Sequence, residues 1–291
     1  PGFIDLYAFP GEPGFELDED FASFAASAVA GGYTTVAPRP DTEPACDRRV
    51  MVESLLRRAA EVGRVDVVPV GAARRGNAGA GDAGASLSSK HVGVPEEMAE
   101  IGDMWRAGAR AVSSGDHPIT NASMMRRLLE YAAGFNLVVV SRPEDRVLAG
   151  DGLLTEGEMS TRLGLPGAPT LAEEVAVYRD LSLAAYTDGR LHLTKISTAG
   201  SVELVRQARA EGVHVTCDVS AAHLLLTEKE LAGFDTNLKL VPPLRSNEDR
   251  LALVAGLMDG TVDAVVSDHM PVNRRYKECE FGYARSGAIG L

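Results

Sequence analysis

The chain has 291 residues, 45% of them hydrophobic and 24% charged, with a formal net charge of −12. That length can bury a large core, and the acidic balance argues against nucleic acid or an anionic membrane as partner, since both need a basic footprint. No apolar run reaches the ~20 residues of a membrane helix, and the three cysteines, Cys46, Cys217 and Cys279, are scattered and odd in number, so neither a disulfide framework nor a CxxC metal knot is expected. A reducing cytoplasm is the expected setting. Because the chain opens at Pro1 and stops at Leu291, excision from a longer polypeptide is also expected.

Short β-branched runs alternate with apolar-periodic segments along the whole length, the pattern of a parallel sheet with crossover helices. A strand over Ile4–Ala8 leads into a helix over Asp20–Ala30, then a strand over Thr35–Ala37 and a helix over Arg48–Val62. Strands at Val65–Val70 and Arg110–Ser113 bracket a helix over Glu96–Ala107. Next come a helix over Ala122–Ala133, a strand at Leu137–Ser141 and a helix over Leu171–Ala185. The last three strands, Leu191–Ile196, His214–Val219 and Ala264–Ser267, alternate with helices over Val202–Ala210 and Asn247–Met258. Eight such steps in somewhat over the ~250 residues usual for the fold predict a closed (β/α)8 barrel; a doubly wound open sheet is the alternative. Two stretches read as excursions. Gly76–Ser89 is Gly/Ala/Ser-rich, is expected to be mobile, and lacks the Gly-Lys-Ser/Thr ending of a phosphate loop. Pro143–Pro169 reads as an ordered connection after the fifth strand.

Several motifs resemble those of dihydroorotases, metal-dependent amidohydrolases. They include Pro1–Gly14, Pro40-Asp41-Thr42-Glu43-Pro44, Ser197-Thr198-Ala199-Gly200-Ser201, Pro242-Pro243-Leu244-Arg245 and Ser267-Asp268-His269-Met270-Pro271. The resemblance implies one amidohydrolase-type barrel domain over residues 1–291, without the small β-rich domain that usually flanks it. It also implies which strand ends should carry metal ligands. The family's first strand ends in His-x-His, where this chain has Tyr7 and Phe9. The bridging carboxylate corresponds to Ser114, and two further histidines correspond to Arg142 and Lys195. Only the last carboxylate persists, as Asp268. Zinc catalysis requires several N, O or S donors and an open position for water. A phenyl ring has no lone pair for a cation, Arg142 is permanently protonated, and Lys195 must lose a proton before it can ligate. The ancestral zinc site is therefore expected to be lost, leaving no cofactor and no catalytic residue. The family's substrate contacts correspond to Gly11, Asp41, Val241 and Val272, three of which offer no side-chain hydrogen bond, while Asp41 carries the charge of an anionic substrate.

Individual residues have blander readings beside the functional ones. Asp268-His269 could form a general-base pair, yet a buried carboxylate satisfied by Lys195 or Arg142 is the simpler expectation. Asp116-His117 and His223 are possible replacement ligands, though loop histidines usually cap or face solvent. His192 and His214 are expected to pack against helices, Thr198 and Ser201 to cap a helix, and Cys217 to be a buried, inert thiol. Ser197 has no evident triad.

The function implied is that of inactive family members: a non-catalytic structural partner of aspartate carbamoyltransferase in pyrimidine biosynthesis, itself expected to be homo-oligomeric. One rival is an amidohydrolase with a rebuilt mononuclear or metal-free site. The other is a regulatory barrel that holds an anionic metabolite between Arg142 and Lys195.

Overall fold

The structure, a computed structural model, describes residues 1–77 and 97–291. The strands are β1 (Phe3–Ala8), β2 (Tyr33–Pro38), β3 (Asp66–Val67), β4 (Val70–Ala72), β5 (Ala111–Ser113), β6 (Val138–Ser141), β7 (Leu154–Thr155), β8 (Gly167–Ala168), β9 (Leu191–Leu193), β10 (Val215–Ser220) and β11 (Ala264–Val266). The helices are α1 (Phe21–Ala30), α2 (Arg49–Val62), α3 (Ile101–Arg106), α4 (Ala122–Ala133), α5 (Arg146–Ala149), α6 (Glu158–Leu163), α7 (Leu171–Thr187), α8 (Ala199–Ala210), α9 (Ala221–Leu225) and α10 (Asn247–Asp259). Local chemistry sets several helix starts. Asp20, Asn121, Thr198 and Ser246 each accept a backbone N–H of the following turn, at the head of α1, α4, α8 and α10 respectively.

One parallel ladder runs β11-β10-β9-β6-β5-β4 and another β1-β2-β3. The predicted single strand Val65–Val70 is thus two segments, β3 and β4. The break falls where the chain leaves β2 for β5, at Pro69, which has no N–H to give a ladder. Counted as one position, β3 and β4 complete an eight-membered barrel among the described residues. The ring closes between β11 and β1 by a seam rather than a ladder. The buried Asp5 carboxylate accepts from Ser267 N at 3.1 Å and from Ser267 Oγ, and the Phe9 N–H donates to the His269 carbonyl at 2.7 Å. The open-sheet alternative is excluded.

The main core lies between strands and helices. Val112, Val139, Leu193 and Cys217 pack against Met124, Leu128, Val177 and Val202; truncating a buried leucine there to alanine costs about 2–5 kcal/mol. Alternate strand residues carry polar groups instead. His192 bridges Thr216 at 2.7 Å and the buried Asp218 at 2.8 Å, so this histidine is held by polar partners rather than by helix packing. His214 also departs from expectation. It precedes β10, is 65% exposed, and faces Asp188 at 3.5 Å. Pro143–Pro169 is ordered as α5, α6 and the small β7–β8 pair. Gly76–Ser89 lies outside the described residues beyond Asn77, as does the predicted start of the third helix at Glu96; that helix begins at Ile101. No helix among the described residues is long and apolar enough to cross a membrane.

Candidate site at the barrel mouth

The C-terminal strand ends bring Tyr7, Phe9, Ser114, Arg142, Lys195 and Asp268 together around a residue the sequence did not single out as their centre, Asp116. Lys195 follows β9 with φ +55°. The strand ends at Leu193, three residues short of the predicted Ile196, and the Asp218 carboxylate stabilises the turn by accepting the Lys195 N–H at 2.7 Å. The ammonium then crosses the mouth. Its Nζ lies 2.8 Å from Asp268 Oδ1, 2.9 Å from Asp116 Oδ1 and 2.7 Å from the Val241 carbonyl. It also sits 4.8 Å from the centre of the Tyr7 ring, within cation–π range.

Two arginines complete the cage. Arg39, at the end of β2, contacts Asp41 through Nε at 3.0 Å and Asp116 Oδ2 through NH1 at 3.2 Å. Its guanidinium lies about equally close to the two aromatic faces, 5.2 Å from Tyr7 and 5.0 Å from Phe9. Arg142, after β6, donates to the Asp116 carbonyl at 2.9 Å and to Glu144 at 3.0 Å. Ser114 supplies no charge. Its Oγ accepts the Arg142 N–H at 3.1 Å and fixes that turn. The Tyr7 hydroxyl reaches Asp116 Oδ1 at 3.2 Å. Burial, reinforced by Asp116, pushes this phenol well above its ordinary value, so it stays neutral and donates.

The carboxylates divide into two kinds. Burial opposes ionisation of Asp116, but Arg39, Lys195 and Arg142 outweigh it and hold the carboxyl well below the usual range. Asp268 has a single cation in contact, and burial lifts it to about 6 despite Lys195. Asp116 is therefore the fixed anion, and Asp268 is the one that takes a proton first.

The remaining positions are satisfied locally. Asp41 is neutralised by Arg39 and cannot repel a ligand as a free charge. Gly11, at φ +68°, is closed against the Glu19 carbonyl, which a Cβ would approach to 2.1 Å. Val241 contributes its carbonyl, and Val272 lies half-buried in the loop after β11. His269 turns away from Asp268 to Glu19 at 2.7 Å, so the pair does not form a general-base couple. His117 and His223 are buried, and desolvation lowers both to about 4. Thr198 caps α8 as expected, accepting from the Ser201 N–H at 3.1 Å. Ser197 donates to Glu173, which Arg245 also contacts at 3.3 Å. Burial pushes the Cys217 thiol to about 12.

A parallel eight-membered barrel with polar groups gathered at its strand ends defines the (β/α)8 class, which hosts many chemistries. Known proteins make the assignment finer. The family profile described as dihydro-orotase-like matches residues 1–201. A dihydroorotase of Pelobacter propionicus is 40% identical over the whole chain, and one of Syntrophotalea carbinolica is 42% identical. The chain spans 65% of the length of both. Among solved structures, L-hydantoinase from Arthrobacter aurescens superposes with a TM-score of 0.81 at 23% identity, covering all of this chain and 63% of that one. Dihydroorotase from Saccharomyces cerevisiae, in complex with 5-fluoroorotic acid, gives 0.71 at 15%, covering 99% and 74%. The chain belongs to the dihydroorotase-like family.

The side chains at this mouth do not fit the metal centre that the family resemblance implies. The Lys195 ammonium directs its protons at both carboxylates that might ligate, and Arg39 and Arg142 lie against the same Asp116. No group of three or more His, Cys, Asp or Glu suited to a metal ion occurs among the described residues.

Proposed function

We propose that this chain is a non-catalytic, dihydroorotase-like protein of pyrimidine biosynthesis that serves as an assembly partner of aspartate carbamoyltransferase, as a separate subunit or a fused domain, and forms a homo-oligomer in the cytoplasm. The observation that carries the reading is the position of Lys195 Nζ, bonded at once to Asp268 and Asp116. A protonated amine there takes up the lone pairs that a hydrolytic metal needs, and it stays because both carboxylates require a countercharge. The scaffold persists independently of that chemistry, since the core lies between strands and helices and not at the mouth.

The rival is an active cyclic-amide hydrolase with a rebuilt mononuclear or metal-free site. Identity of 40–42% to proteins named dihydroorotase favours it. Purified protein is tested for carbamoyl-aspartate cyclisation and for bound metal, and for co-purification with the carbamoyltransferase of its own cell. The proposal expects no turnover and a stable complex. Turnover abolished by Asp268→Asn establishes the rival instead.

A further inference from the structure

Four other arginines with little exposure each meet a carboxylate. Arg39 has Asp41, Arg142 has Glu144, Arg245 has Glu173 and Arg285 has Asp18. Arg146, the first residue of α5, does not. Among the described residues its only side-chain hydrogen-bond partner is His117 Nδ1, 3.3 Å from NH2. Its Nε is fully buried without a partner. Arg285 Nε is also unpartnered, but there Asp18 at 2.8 Å neutralises the charge, so only a hydrogen bond is missing. At Arg146 the Nε hydrogen bond is missing and, among the described residues, no carboxylate lies within salt-bridge distance.

The surroundings make the deficit larger. Asp145, the preceding residue, accepts the Val147 and Leu148 N–H groups at 2.9 and 3.1 Å, and Glu144 is bonded to Arg142 at 3.0 Å. The Asp116 carboxylate is shared among Arg39, Arg142 and Lys195. His117 brings no charge, because desolvation lowers it to about 4, and as a neutral ring it accepts from Arg146 through Nδ1. Arg74 reaches the same place, its NH2 donating to the His117 carbonyl at 2.6 Å. Burial and the nearby Arg142 lower Arg146 to about 10, outweighing the opposite pull of Glu144 and Asp116. A desolvated guanidinium beside other cations is costly unless an anion meets it, and its planar fork matches an oxyanion bidentately.

We propose that Arg146, with His117 and Arg74 beside it, forms a binding site for a small oxyanion, a phosphate or carboxylate group, at the rim of the barrel. The site lies outside the Lys195–Asp268–Asp116 cage. It also differs from the Arg142/Lys195 anion site that was a rival reading of the sequence, whose two cations already have carboxylate partners. It does not depend on whether the chain turns over any substrate.

Calorimetric titration and thermal melts of the whole protein with inorganic phosphate, and separately with succinate, at ionic strength held constant with sodium chloride, test the site. The expected result is a saturable stabilisation by at least one of the two. The tighter arm tells whether a phosphate or a carboxylate is the natural group. Arg146→Gln removes the charge and is expected to weaken binding on the order of 10- to 100-fold, the worth of one charge-assisted contact, while Arg146→Lys retains part of it. The glutamine variant also melts at or above the wild-type temperature in chloride alone, because it deletes a half-buried cation that no carboxylate contacts. Absence of saturable binding by either anion, or equal binding by wild type and Arg146→Gln, overturns the assignment. So does a glutamine variant that is strongly destabilised in chloride, since that shows the guanidinium already has its counterion.

Discussion

Replacing Lys195 by methionine keeps the length of the side chain and deletes the charge that two buried carboxylates share. Lys195 is 1% exposed, Asp116 15% and Asp268 10%, so solvent screens the pairs little. Breaking a buried ion pair from one side costs about 3–5 kcal/mol. At ~2–4 °C per kcal/mol for chains approaching this size, the melting temperature falls by about 6–20 °C. The pH dependence is more diagnostic. Asp268 titrates near 6 in the folded protein and near an ordinary ~3.9 when unfolded. A carboxyl raised on folding adds stability below its unfolded value and loses it as pH rises through the folded one. Lys195 is what holds this carboxyl down to about 6. In Lys195→Met the folded value climbs further, and the deficit relative to wild type deepens between pH 5 and pH 8. Adding Asp268→Asn removes the titrating group and recovers part of the loss at pH 8. Thermal melts at several pH values decide it. A deficit within about 1 kcal/mol, the worth of an exposed pair, or one larger at pH 5 than at pH 8, would falsify the description of the cage.

Restoring histidine at positions 7 and 9 alone leaves the Lys195 ammonium in place, so the double variant is expected to bind zinc substoichiometrically; one tightly held zinc per chain contradicts this. Glu173 accepts the Ser197 N–H at 2.8 Å, the Thr198 N–H at 3.1 Å and the Ser201 hydroxyl at 2.7 Å, and it pairs with Arg245. Glu173→Gln should cost about 3 kcal/mol and speed amide exchange in the first turn of α8; unchanged exchange there argues against the hub. Burial pushes Cys46 and Cys217 to about 12, while Cys279 is exposed, so a thiol reagent at pH 8 should modify Cys279 quickly and the other two only after unfolding. Rapid modification of a second thiol in the native protein counts against it.

The barrel was legible because β-branched runs at regular spacing leave few alternatives, whereas the five strand-end positions were singled out only by the family resemblance. Asp116 was not. In sequence it is a loop aspartate beside a histidine. It becomes the centre only because Arg39, Arg142 and Lys195 converge on it from the ends of three strands far apart in the chain. Arg39, between two prolines, gave no local signal either. His214 was misplaced because it adjoins an apolar run, although it lies just before β10, outside the ladder. The positive φ of Lys195 shortened β9 for a reason three-dimensional in origin, the Asp218 carboxylate on the neighbouring strand.

The stitch between Asp5 and Ser267 joins residues 262 positions apart. Loop-closure entropy delays such long-range contacts relative to local helix packing. During synthesis, which proceeds from the N-terminus, β1 must wait for every other barrel strand to emerge before its second edge finds a neighbour. Until then the backbone N–H and C=O groups on that side of β1 form an open edge. The last contact made is thus also the one on which protection of the nascent polypeptide from self-association depends.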